Sequence, residues 1–274
     1  MIFQEARVAL QATYADNGLI SATHLLYYTD SYLRQFASEV VAVDETNHAV
    51  VLRETAFFPT GGGQPHDEGT LDFGGSTASV VDVRKGEGGV VWHTLADGAA
   101  LPEIGSVAHG EIAWERRYLL MRIHTAQHIL NGVIWLDYGA HVTGAHMTPG
   151  EGRLDFELPS MSQQFARDVE ARVNEQVARD LPVRVLFLPR VEADRDPSLL
   201  RLKANLIPRS VDPLRVVDIV GLDRQADGGT HVASTGEVGE VRVIKTESKG
   251  KANKRIRLAV AGAPGFAAAN DEAV

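Results

Sequence analysis

The most informative absence is cysteine, because none of the 274 residues is Cys. Disulfides and thiolate chemistry are therefore excluded, and any metal ion has to be bound by histidine and carboxylate ligands. Long apolar runs are also missing, since no stretch approaches the roughly 18 residues that span a bilayer. The first residues show no basic region followed by an apolar one. We therefore expect no signal peptide, no membrane association and a cytoplasmic protein.

Positive charge is scarce as well. Lys and Arg number 27 against 36 Asp and Glu, which gives a formal net charge of −9. A protein that grips a long nucleic acid by its phosphates is usually basic, so any nucleic-acid contact is expected to be small and local. One segment, KTESKGKANKRIR at residues 245–257, is locally basic. It could be a solvated strand and loop or a phosphate-contacting patch.

Two stretches in the first half of the chain have the pattern of β-hairpins. EVVAVDETNHAVVLRETAFF contains two β-rich runs around a turn at Asp44 to Asn47, and STASVVDVRKGEGGVVWHTL repeats this pattern around Gly86 to Gly89. Short predicted strands separated by turns extend from Leu25 to about Val107. This pattern favours a small β-barrel or sandwich.

The second half of the chain combines helices and strands. Apolar residues recur at helical spacing from Trp114 to about Trp135, and Gly139 suits the end of that helix. A second, amphipathic helix is predicted in SMSQQFARDVEARVNEQVARD, with Ser160 or Ser162 as its N-cap. GRLDFELP and PVRVLFLPR are predicted strands, and further strands flank the loop QADGGTHVASTGEVG.

Two pairs of candidate metal ligands lie far apart in the sequence. His124 and His128 are four residues apart in the predicted long helix, so both imidazoles can face one point. Asp227 and His231 have the same spacing in a glycine-rich loop. Each pair alone is a weak signal in a chain with ten histidines. Together they predict either a tetrahedral site of three histidines and Asp, or three ligands with water in an open position.

Missing residues argue against two familiar kinds of site. Zinc proteases of the HExxH type have Glu after the first His, but Thr125 stands there. The run GGGQP, from Gly61 to Pro65, lacks the Lys-Ser/Thr of a P-loop, so we expect no nucleotide cofactor. Taken by itself, a glycine run of this kind predicts a turn.

Several motifs together resemble one family. HTAQH, followed about 100 residues later by GGTHVASTGEVG, resembles the editing domain of alanyl-tRNA synthetases and their free-standing relatives, the AlaX-type alanyl-tRNA editing proteins. FFPTGGGQPHDEGTL is similar to the family's glycine-rich motif, TxFYPxGGGQPxDxG. LLYYTDSYLRQF and SKGKANKRIRLAV resemble the start and the end of the medium-length AlaX class. The resemblance covers about residues 25–260.

The resemblance implies an α+β fold in two domains. Residues 25–110 are expected to form a small β-barrel that contains the glycine-rich motif. Residues 111–260 are expected to form an α+β editing domain, in which an antiparallel sheet packs with helices. Residues 1–24 are expected to be an N-terminal arm, and the Ala- and Gly-rich residues 261–274 a flexible tail.

The resemblance also implies an activity. Such proteins are aminoacyl-tRNA deacylases, which hydrolyse the ester between alanine tRNA and a wrong amino acid, usually serine and sometimes glycine, at a zinc site without ATP. By motif position, His124, His128 and His231 match the family's histidine ligands. Asp227 stands where the family has Cys, and it either completes the ligand set or only shapes the turn. Because a carboxylate is harder than a thiolate, other divalent ions can compete with Zn²⁺ here.

Selectivity for serine over alanine cannot rest on size, since serine is the larger of the two. A site can reject alanine by polar groups that need the hydroxyl as a partner. Candidates are Thr125 and Gln127 near the metal ligands, and Thr143 and His146 in HVTGAHM. That segment resembles a family strand of the form HVxQxGS, although Gly144 takes the place of Gln.

Backbone and side-chain groups around the ligands complete the candidate site. The N–H groups of Gly228 and Gly229 either stabilise an oxyanion or only form a tight turn, and Gln127 is a further catalytic candidate. The glycine-rich turn is expected to face the site and bind substrate through Gly61, Gly62, Gly63 and Gln64.

Contacts with the acceptor end of tRNA are expected in the basic segment. The candidates are Lys249, Lys251, Lys254 and Arg255. Two other functions stay open: a tRNA-binding or metal-binding module whose chemistry has decayed, and a metal-dependent hydrolase of another small ester.

Overall fold

The computed structural model describes residues 12–14, 21–199, 207–209, 211–250 and 252–268. The chain divides into two compact units. Unit 1 comprises Met1–Thr60 and His66–Ala113, and unit 2 comprises Gly61–Pro65 and Trp114–Val274. The glycine-rich turn therefore belongs to unit 2 by its contacts, although the chain on either side of it belongs to unit 1.

The elements follow one another in chain order. The strands of unit 1 are β1 (Ala12–Tyr14), β2 (His24–Leu25), β3 (Gln35–Asp44), β4 (Ala49–Leu52), β5 (Glu54–Thr55), β6 (Gly69–Asp72), β7 (Thr77–Lys85), β8 (Val91–Leu95) and β9 (Val107–Ile112). Those of unit 2 are β10 (Val142–Thr148), β11 (Glu151–Phe156), β12 (Val183–Leu188), β13 (Leu214–Ile219), β14 (Asp223–Ala226), β15 (Val241–Ser248) and β16 (Lys254–Val260). The helices are α1 (Trp114–Tyr138), α2 (Gln163–Ala178), α3 (Arg190–Ala193) and α4 (Pro264–Ala268).

Unit 1 is built around a closed antiparallel barrel of six strands. The strands neighbour one another in the order β3, β4, β8, β7, β6 and β9, and β9 pairs back with β3 to close the barrel. Closure removes the free edges that an open sheet would expose. The predicted fold class, α+β with an N-terminal β-barrel, is confirmed.

The interior of the barrel is mostly aliphatic. Alternating residues of the strands point inward, and Leu52, Leu71 and Val80 are among those that are almost completely buried. His93 also lies inside, with Nε2 2.8 Å from Oγ1 of Thr55 and Nδ1 3.2 Å from the carbonyl oxygen of Val50. Burial lowers the pKa of His93 to about 4, so this imidazole is neutral at pH 7.

Parts of the predicted N-terminal arm pair with unit 1. The strand β1 lies antiparallel to β3, and Thr23 donates its hydroxyl to the carbonyl oxygen of Leu52 at 3.3 Å. Residues 1–11 and 15–20 lie outside the described residues.

Unit 2 contains two antiparallel sheets and the long helix α1. One sheet has the order β10, β11, β16, β15, and the other has the order β12, β13, β14. Helix α1 packs against the four-stranded sheet, against α2 and against β14. Every residue from Ile123 to Ile134 is buried, so the middle of α1 is enclosed on all sides. The polar residues of that segment are therefore buried with it.

The C-terminus of α1 and the N-terminus of α2 are formed by residues that the sequence predicts for these positions. Gly139 has a φ of +62° and closes α1, where its N–H bonds to the carbonyl oxygen of Trp135 at 2.9 Å. Ser162 caps α2, because its side chain accepts the N–H of Phe165 at 3.0 Å.

The structure differs from the expected flexible tail over residues 261–268. Ala263 is buried, and α4 follows it. The N–H of Gly265 donates to Oε1 of Glu151 at 2.7 Å, and the guanidinium of Arg242 lies 4.2 Å from the ring centre of Phe266. These contacts hold the segment to unit 2, which composition alone did not reveal. Residues 269–274 lie outside the described residues.

Within the part of the chain that the structure describes, no helix combines the length and apolar character that a membrane crossing would require.

Candidate metal centre

Helix α1 carries two histidines on one face. His124 and His128 are separated by about one helical turn, and their ring centres lie 5.2 Å apart. Both side chains are buried, in the segment of α1 that is enclosed on all sides. The helix therefore fixes the two imidazoles within the interior of unit 2.

The loop after β14 supplies Asp227, and the backbone of this residue is hydrogen-bonded to β13. The N–H of Asp227 donates to the carbonyl oxygen of Arg215 at 3.1 Å, and Nη1 of Arg215 donates to the carbonyl oxygen of Asp227 at 2.8 Å. Oδ1 of Asp227 accepts the N–H of Gly229 at 2.6 Å, which tightens the turn. A Cβ at position 229 would overlap the ring of His124, so glycine is required there.

The two predicted pairs converge on one point. Nε2 of His124 and Nε2 of His128 lie 3.6 Å and 3.9 Å from Oδ2 of Asp227. Nε2 of His231 lies 3.2 Å from Oδ1 of Asp227. The four candidate ligand atoms all lie within 4.8 Å of one another. Ligands about 2.0–2.2 Å from a tetrahedral zinc ion stand about 3.3–3.6 Å apart, so the spacing suits an ion of this kind with small adjustments.

Each imidazole is held from behind through its other ring nitrogen. The three contacts are Nδ1 of His124 with Oε1 of Gln64 at 3.0 Å, Nδ1 of His128 with Oδ2 of Asp223 at 2.9 Å, and Nδ1 of His231 with Oγ1 of Thr125 at 3.1 Å. An amide oxygen and a carboxylate can only accept, so His124 and His128 donate from Nδ1 and keep a lone pair on Nε2. This arrangement is typical of imidazoles that bind a metal ion.

The protonation states of the candidate ligands favour the binding of a cation. Burial lowers the pKa of His124 to about 4 and lowers the pKa of His231 well below its usual value, so both rings are neutral at pH 7. Burial acts to raise the pKa of Asp227, but His124 and the other two histidines around it hold that pKa well below the usual value. The result is an ionised carboxylate beside neutral imidazoles, which are the forms that bind metals.

A small cavity of about 80 Å³ opens beside the four side chains. His124, His128 and Asp227 line it on one side, and Val142 and Leu154 contribute apolar surface. A ligand in this cavity would therefore lie against the candidate metal ligands, with both polar and apolar side chains around it.

The glycine-rich turn lies beside the same site. Gly62 and Gly63 have positive φ values of +61° and +88°, as a tight hairpin turn requires. The carbonyl oxygen of Gly63 accepts the N–H of Met147 at 3.0 Å, and a Cβ at position 63 would lie 2.9 Å from the carbonyl oxygen of Ala145. Gly62 lines the cavity. Gly61 pairs with residue 64 through its backbone.

Gln64, a predicted substrate-binding residue, is buried and contacts protein groups. Its Oε1 faces Nδ1 of His124 and accepts the N–H of Thr230 at 3.2 Å, while its Nε2 donates to Oγ1 of Thr230 at 3.0 Å. The structure thus gives Gln64 a direct part in orienting His124.

The predicted catalytic groups are largely engaged within the protein. Nε2 of Gln127 donates to the carbonyl oxygens of His146 and Arg153 at 3.0 Å and 3.1 Å, which ties α1 to β10 and β11. The N–H of Gly229, a predicted oxyanion donor, donates to Oδ1 of Asp227 at 2.6 Å in this structure. Gly228 lies in the same turn and is half-buried.

Of the four predicted selectivity residues, Gln127 lines the cavity, whereas Thr125, Thr143 and His146 do not. Thr125 is completely buried beside His231. Thr143 is exposed and donates its hydroxyl to Oδ1 of Asn253 at 3.1 Å. His146 is exposed and lines a different cavity, of about 250 Å³, together with Arg153. A register shift between Val142 and Gly144 explains this result, because the extra residue lets Val142 and Ala145 share the face of β10 that lines the cavity.

Two of the predicted tRNA contacts are engaged inside unit 2. Lys254 is buried, and its Nζ donates to the carbonyl oxygen of Gly250 at 2.7 Å. Arg255 makes two bonds to the carboxylate of Asp155, at 2.7 Å and 2.8 Å. These bonds tie both side chains to neighbouring groups of unit 2.

The other two predicted tRNA contacts are Lys249 and Lys251. Lys249 is exposed, with Nζ 4.0 Å from Oε1 of Glu247. Lys251 lies outside the described residues.

Two residues of the site were missed from the sequence. Asp223 has no motif of its own, and its contact with His128 depends on how β14 packs on α1. Asn131 lines the cavity, and its position three residues after His128 placed it on the ligand face of α1. That helical spacing was a signal that the sequence did contain.

Two family models match the chain. The model described as the threonyl and alanyl tRNA synthetase second additional domain matches residues 214–257. The model described as tRNA synthetases class II (A) matches residues 8–116. The first match includes Asp227 and His231, and the second covers most of unit 1.

Similar proteins span most of the chain. An alanyl-tRNA editing protein AlaX-M from Saccharolobus solfataricus is 38% identical over 239 residues, which is 87% of this chain and 99% of that protein. An AlaX-M protein from Methanosarcina acetivorans is 36% identical over 239 residues, which is 85% of this chain and 97% of that protein. An alanine–tRNA ligase from Pyrobaculum neutrophilum is 40% identical over 82% of this chain, but over only 25% of the ligase. The chain therefore belongs to the family of alanyl-tRNA editing proteins, with AlaX-M proteins as relatives that match along almost their whole length.

Proposed function

We propose that this protein is a trans-editing deacylase that hydrolyses serine, and also glycine, from wrongly charged alanine tRNA in the cytoplasm. The observation that carries this proposal is the convergence of four ligand atoms within 4.8 Å of one another beside a small cavity. Family membership supports the substrate class. The cavity supports a small acyl group, because at roughly 10–15 Å³ for each water-sized group about 80 Å³ holds about six of them.

The donor set suits a divalent metal. Three neutral imidazole nitrogens and one carboxylate oxygen are ligands that zinc binds in four-coordinate sites. Because Asp227 is a harder ligand than a thiolate, the site also suits other divalent ions. A cation bound there supplies Lewis acidity and positive charge for the hydrolysis of an ester.

The reaction adds water to the carbonyl carbon of the aminoacyl ester. The bond between that carbon and the terminal ribose oxygen breaks, so the tRNA leaves with a free hydroxyl. The amino acid leaves as a carboxylate, and one proton is released to solvent. An aminoacyl ester is already reactive, so the protein mainly has to place the ester and the water and stabilise the charge that develops.

The side chains around the site supply that placement. Gln64, Thr125 and Asp223 fix the orientation of the three imidazoles. Val142 and Leu154 limit the water that reaches the acyl group. Gly228 is half-buried, and its N–H is the backbone donor that we propose for the developing oxyanion.

We propose a small contact between the tRNA acceptor end and the β15–β16 region. Lys249 and Lys245 are exposed there, and Arg257 is half-buried beside them. Glu247 lies between these cations and offsets part of their charge. With a net charge of −9 on the chain, few phosphates can be held, so binding should weaken with salt along a shallow slope.

The test is a deacylation assay with the full chain and alanine tRNA charged with serine, glycine or alanine. We expect release of serine and glycine, little release of alanine, loss of activity with a chelator, and recovery when Zn²⁺ is restored. Metal content measured on the same samples links activity to the ion.

The alternative functions give different results in that assay. Tight binding of the charged tRNA without turnover would show a decayed binding module. Inactivity on tRNA together with hydrolysis of small model esters would show a different esterase. Either result would overturn the proposal.

A further inference from the structure

Asn131 is a buried amide whose oxygen lacks a partner. The side chain is only 3% exposed, and among the described residues no donor lies within hydrogen-bond distance of Oδ1. A buried acceptor that stays unpaired costs about 1–3 kcal/mol, so such groups are usually paired by protein, water or ligand. The amide lines the cavity beside the candidate metal ligands.

The lining of the cavity combines polar and apolar side chains. His124, His128 and Asp227 are polar, and an ester and a cation can lie beside them. Val142 and Leu154 belong to the apolar lining. Asn131 follows His128 by about one helical turn, so the cavity extends from the ligands along α1 toward its amide.

The chemistry of the cavity favours a neutral partner for this amide. A carboxamide offers one acceptor and one donor group, and a hydroxyl can both donate and accept. The α-ammonium of an aminoacyl group carries a full charge, which is costly to bury against apolar surface with a neutral amide alone. The ionised carboxylate of Asp227 is the better partner for that charge. A methyl group in place of the hydroxyl would leave the amide unpaired.

We propose that the carboxamide of Asn131 is the specificity-determining group that binds the hydroxyl of a seryl group in this cavity. The inference rests on the proposed deacylase function and names the residue that lets the site accept serine while it rejects alanine. It also accounts for glycine, since a glycyl group leaves space for a water that can pair with the amide.

The polar residues nearby do not supply the same contact. The two N–H bonds of the Gln127 amide are directed to backbone oxygens of β10 and β11. Thr125 is bonded to His231, and Thr143 is exposed and bonded to Asn253. Gln225, which also lines the cavity, is half-buried and donates its Nε2 to Oδ2 of Asp223 at 2.7 Å. Among the described residues of this lining, Oδ1 of Asn131 is the buried side-chain atom that has no hydrogen-bond partner.

The test compares the full-length wild type with Asn131→Leu, which has a similar size and no hydrogen-bonding group. For deacylation of seryl-tRNA, we expect kcat/KM to fall about tenfold, while the value for glycyl-tRNA changes less than about threefold. Asn131→Ala provides a second variant with the same expected direction if the Leu side chain prevents folding. Leu136→Ala is the matched control on the same helix, because Leu136 is 64% exposed and should leave both values unchanged.

A binding experiment separates this inference from the proposed function. Non-hydrolysable adenosine analogues with a seryl, glycyl or alanyl group in amide linkage at the 3′ position are titrated into wild type and variants. We expect the wild type to prefer the seryl analogue over the alanyl one, and Asn131→Leu to lose that preference. If the wild type shows the preference but hydrolyses no charged tRNA, only the proposed function fails.

Three results would overturn the inference itself. Equal losses for seryl and glycyl substrates would mean that Asn131 contacts a group common to all aminoacyl esters. Loss of the bound metal in Asn131→Leu would mean that the amide supports the ligands. Unchanged preference for serine would mean that the hydroxyl is recognised elsewhere.

Discussion

Buried histidines occur in both units of this protein, but their two ring nitrogens are used differently. In the barrel of unit 1, His93 has one nitrogen against Thr55 and the other against the carbonyl oxygen of Val50. In unit 2, the Nδ1 atoms of the candidate ligands meet protein acceptors, and the Nε2 atoms face one another and Asp227. Burial lowers the pKa values of His93 and His124 alike, to about 4 in each case.

The comparison shows that a buried, neutral histidine is not by itself a sign of function. His93 has partners for both nitrogens and so is complete as a structural group. The cluster in unit 2 instead brings the Nε2 atoms of three histidines close to one ionised carboxylate. Convergence of several possible ligand atoms on one point, rather than burial or pKa, therefore distinguishes a metal site from a core histidine.

The largest effect should come from removing one ligand. His231→Ala should reduce the bound metal to near zero, because only three candidate ligands would remain to bind the ion. Deacylation of seryl-tRNA should fall by about 10³-fold or more, because the ion would no longer be held beside the ester. Metal analysis and serine release measure the two effects. His93→Gln is the contrasting variant, and it should keep one metal ion per chain. Equal metal loss in both variants would remove the distinction between the two units.

The next largest effect should come from Asp223, which orients the candidate ligand His128 through a hydrogen bond to Nδ1. Asp223→Asn keeps the shape of the side chain but removes the charge that holds Nδ1 of His128, so metal affinity should fall by about tenfold or more. Competition with a fluorescent zinc chelator measures the affinity. Asp72→Asn, which removes the same charge from a strand of unit 1, is the control and should leave the affinity unchanged. No change in Asp223→Asn would show that His128 is oriented without this carboxylate.

A third effect concerns the choice of metal. Asp227→Cys replaces a hard ligand with a soft one, so affinity for Zn²⁺ relative to Mn²⁺ should rise by about tenfold. Competition between the two ions, followed by metal analysis, measures the ratio. Asp227→Ala tests ligation itself, and we expect it to lose most of its metal. Unchanged metal content and activity in Asp227→Ala would mean that this residue only shapes the turn.

The smallest effect concerns His93, the structural histidine of the barrel, and the pH dependence of stability. Because the pKa of His93 lies at about 4 in the folded protein and about 6.5 in the unfolded chain, the unfolded chain binds more protons between these values. The contribution of His93 to the free energy of unfolding is therefore full well above pH 6.5 and is lost as the pH falls toward 4. Between pH 6.5 and 5.5 the loss should be about 1 kcal/mol.

Urea unfolding of wild type and His93→Gln at these two pH values isolates that contribution. The variant should lose about 1 kcal/mol less than the wild type over the same interval, because glutamine does not titrate. An identical pH dependence for both proteins would mean that His93 can be protonated without unfolding the barrel.

Much of the fold was predictable, because it follows from local patterns. Alternating apolar residues and glycine turns predicted the barrel strands, and apolar residues at helical spacing predicted α1 and α2. The spacing of His124 and His128 on a helix also predicted that they share a face. The sequence did not show that α1 would be enclosed on all sides, because burial depends on which sheets and helices cover it.

The rest of the site depends on long-range packing. Gln64 reaches His124 only because the glycine-rich turn packs on unit 2, and Asp223 reaches His128 only because β14 lies against α1. The contacts within the basic segment depend on packing in the same way. Lys254 looks free in a sequence rich in positive charge, but the turn that precedes it folds back and takes up its ammonium group.

The position of the glycine-rich turn limits how the protein can be dissected. A shortened chain that starts at Trp114 would retain every candidate ligand yet lack the amide that steadies His124. Such a fragment should still recruit an ion but hold it in a looser, less uniform geometry. Gene fusions or deletions that separate residues 1–65 from the remainder would thus remove a part of the site itself, even though its four candidate ligands all lie downstream.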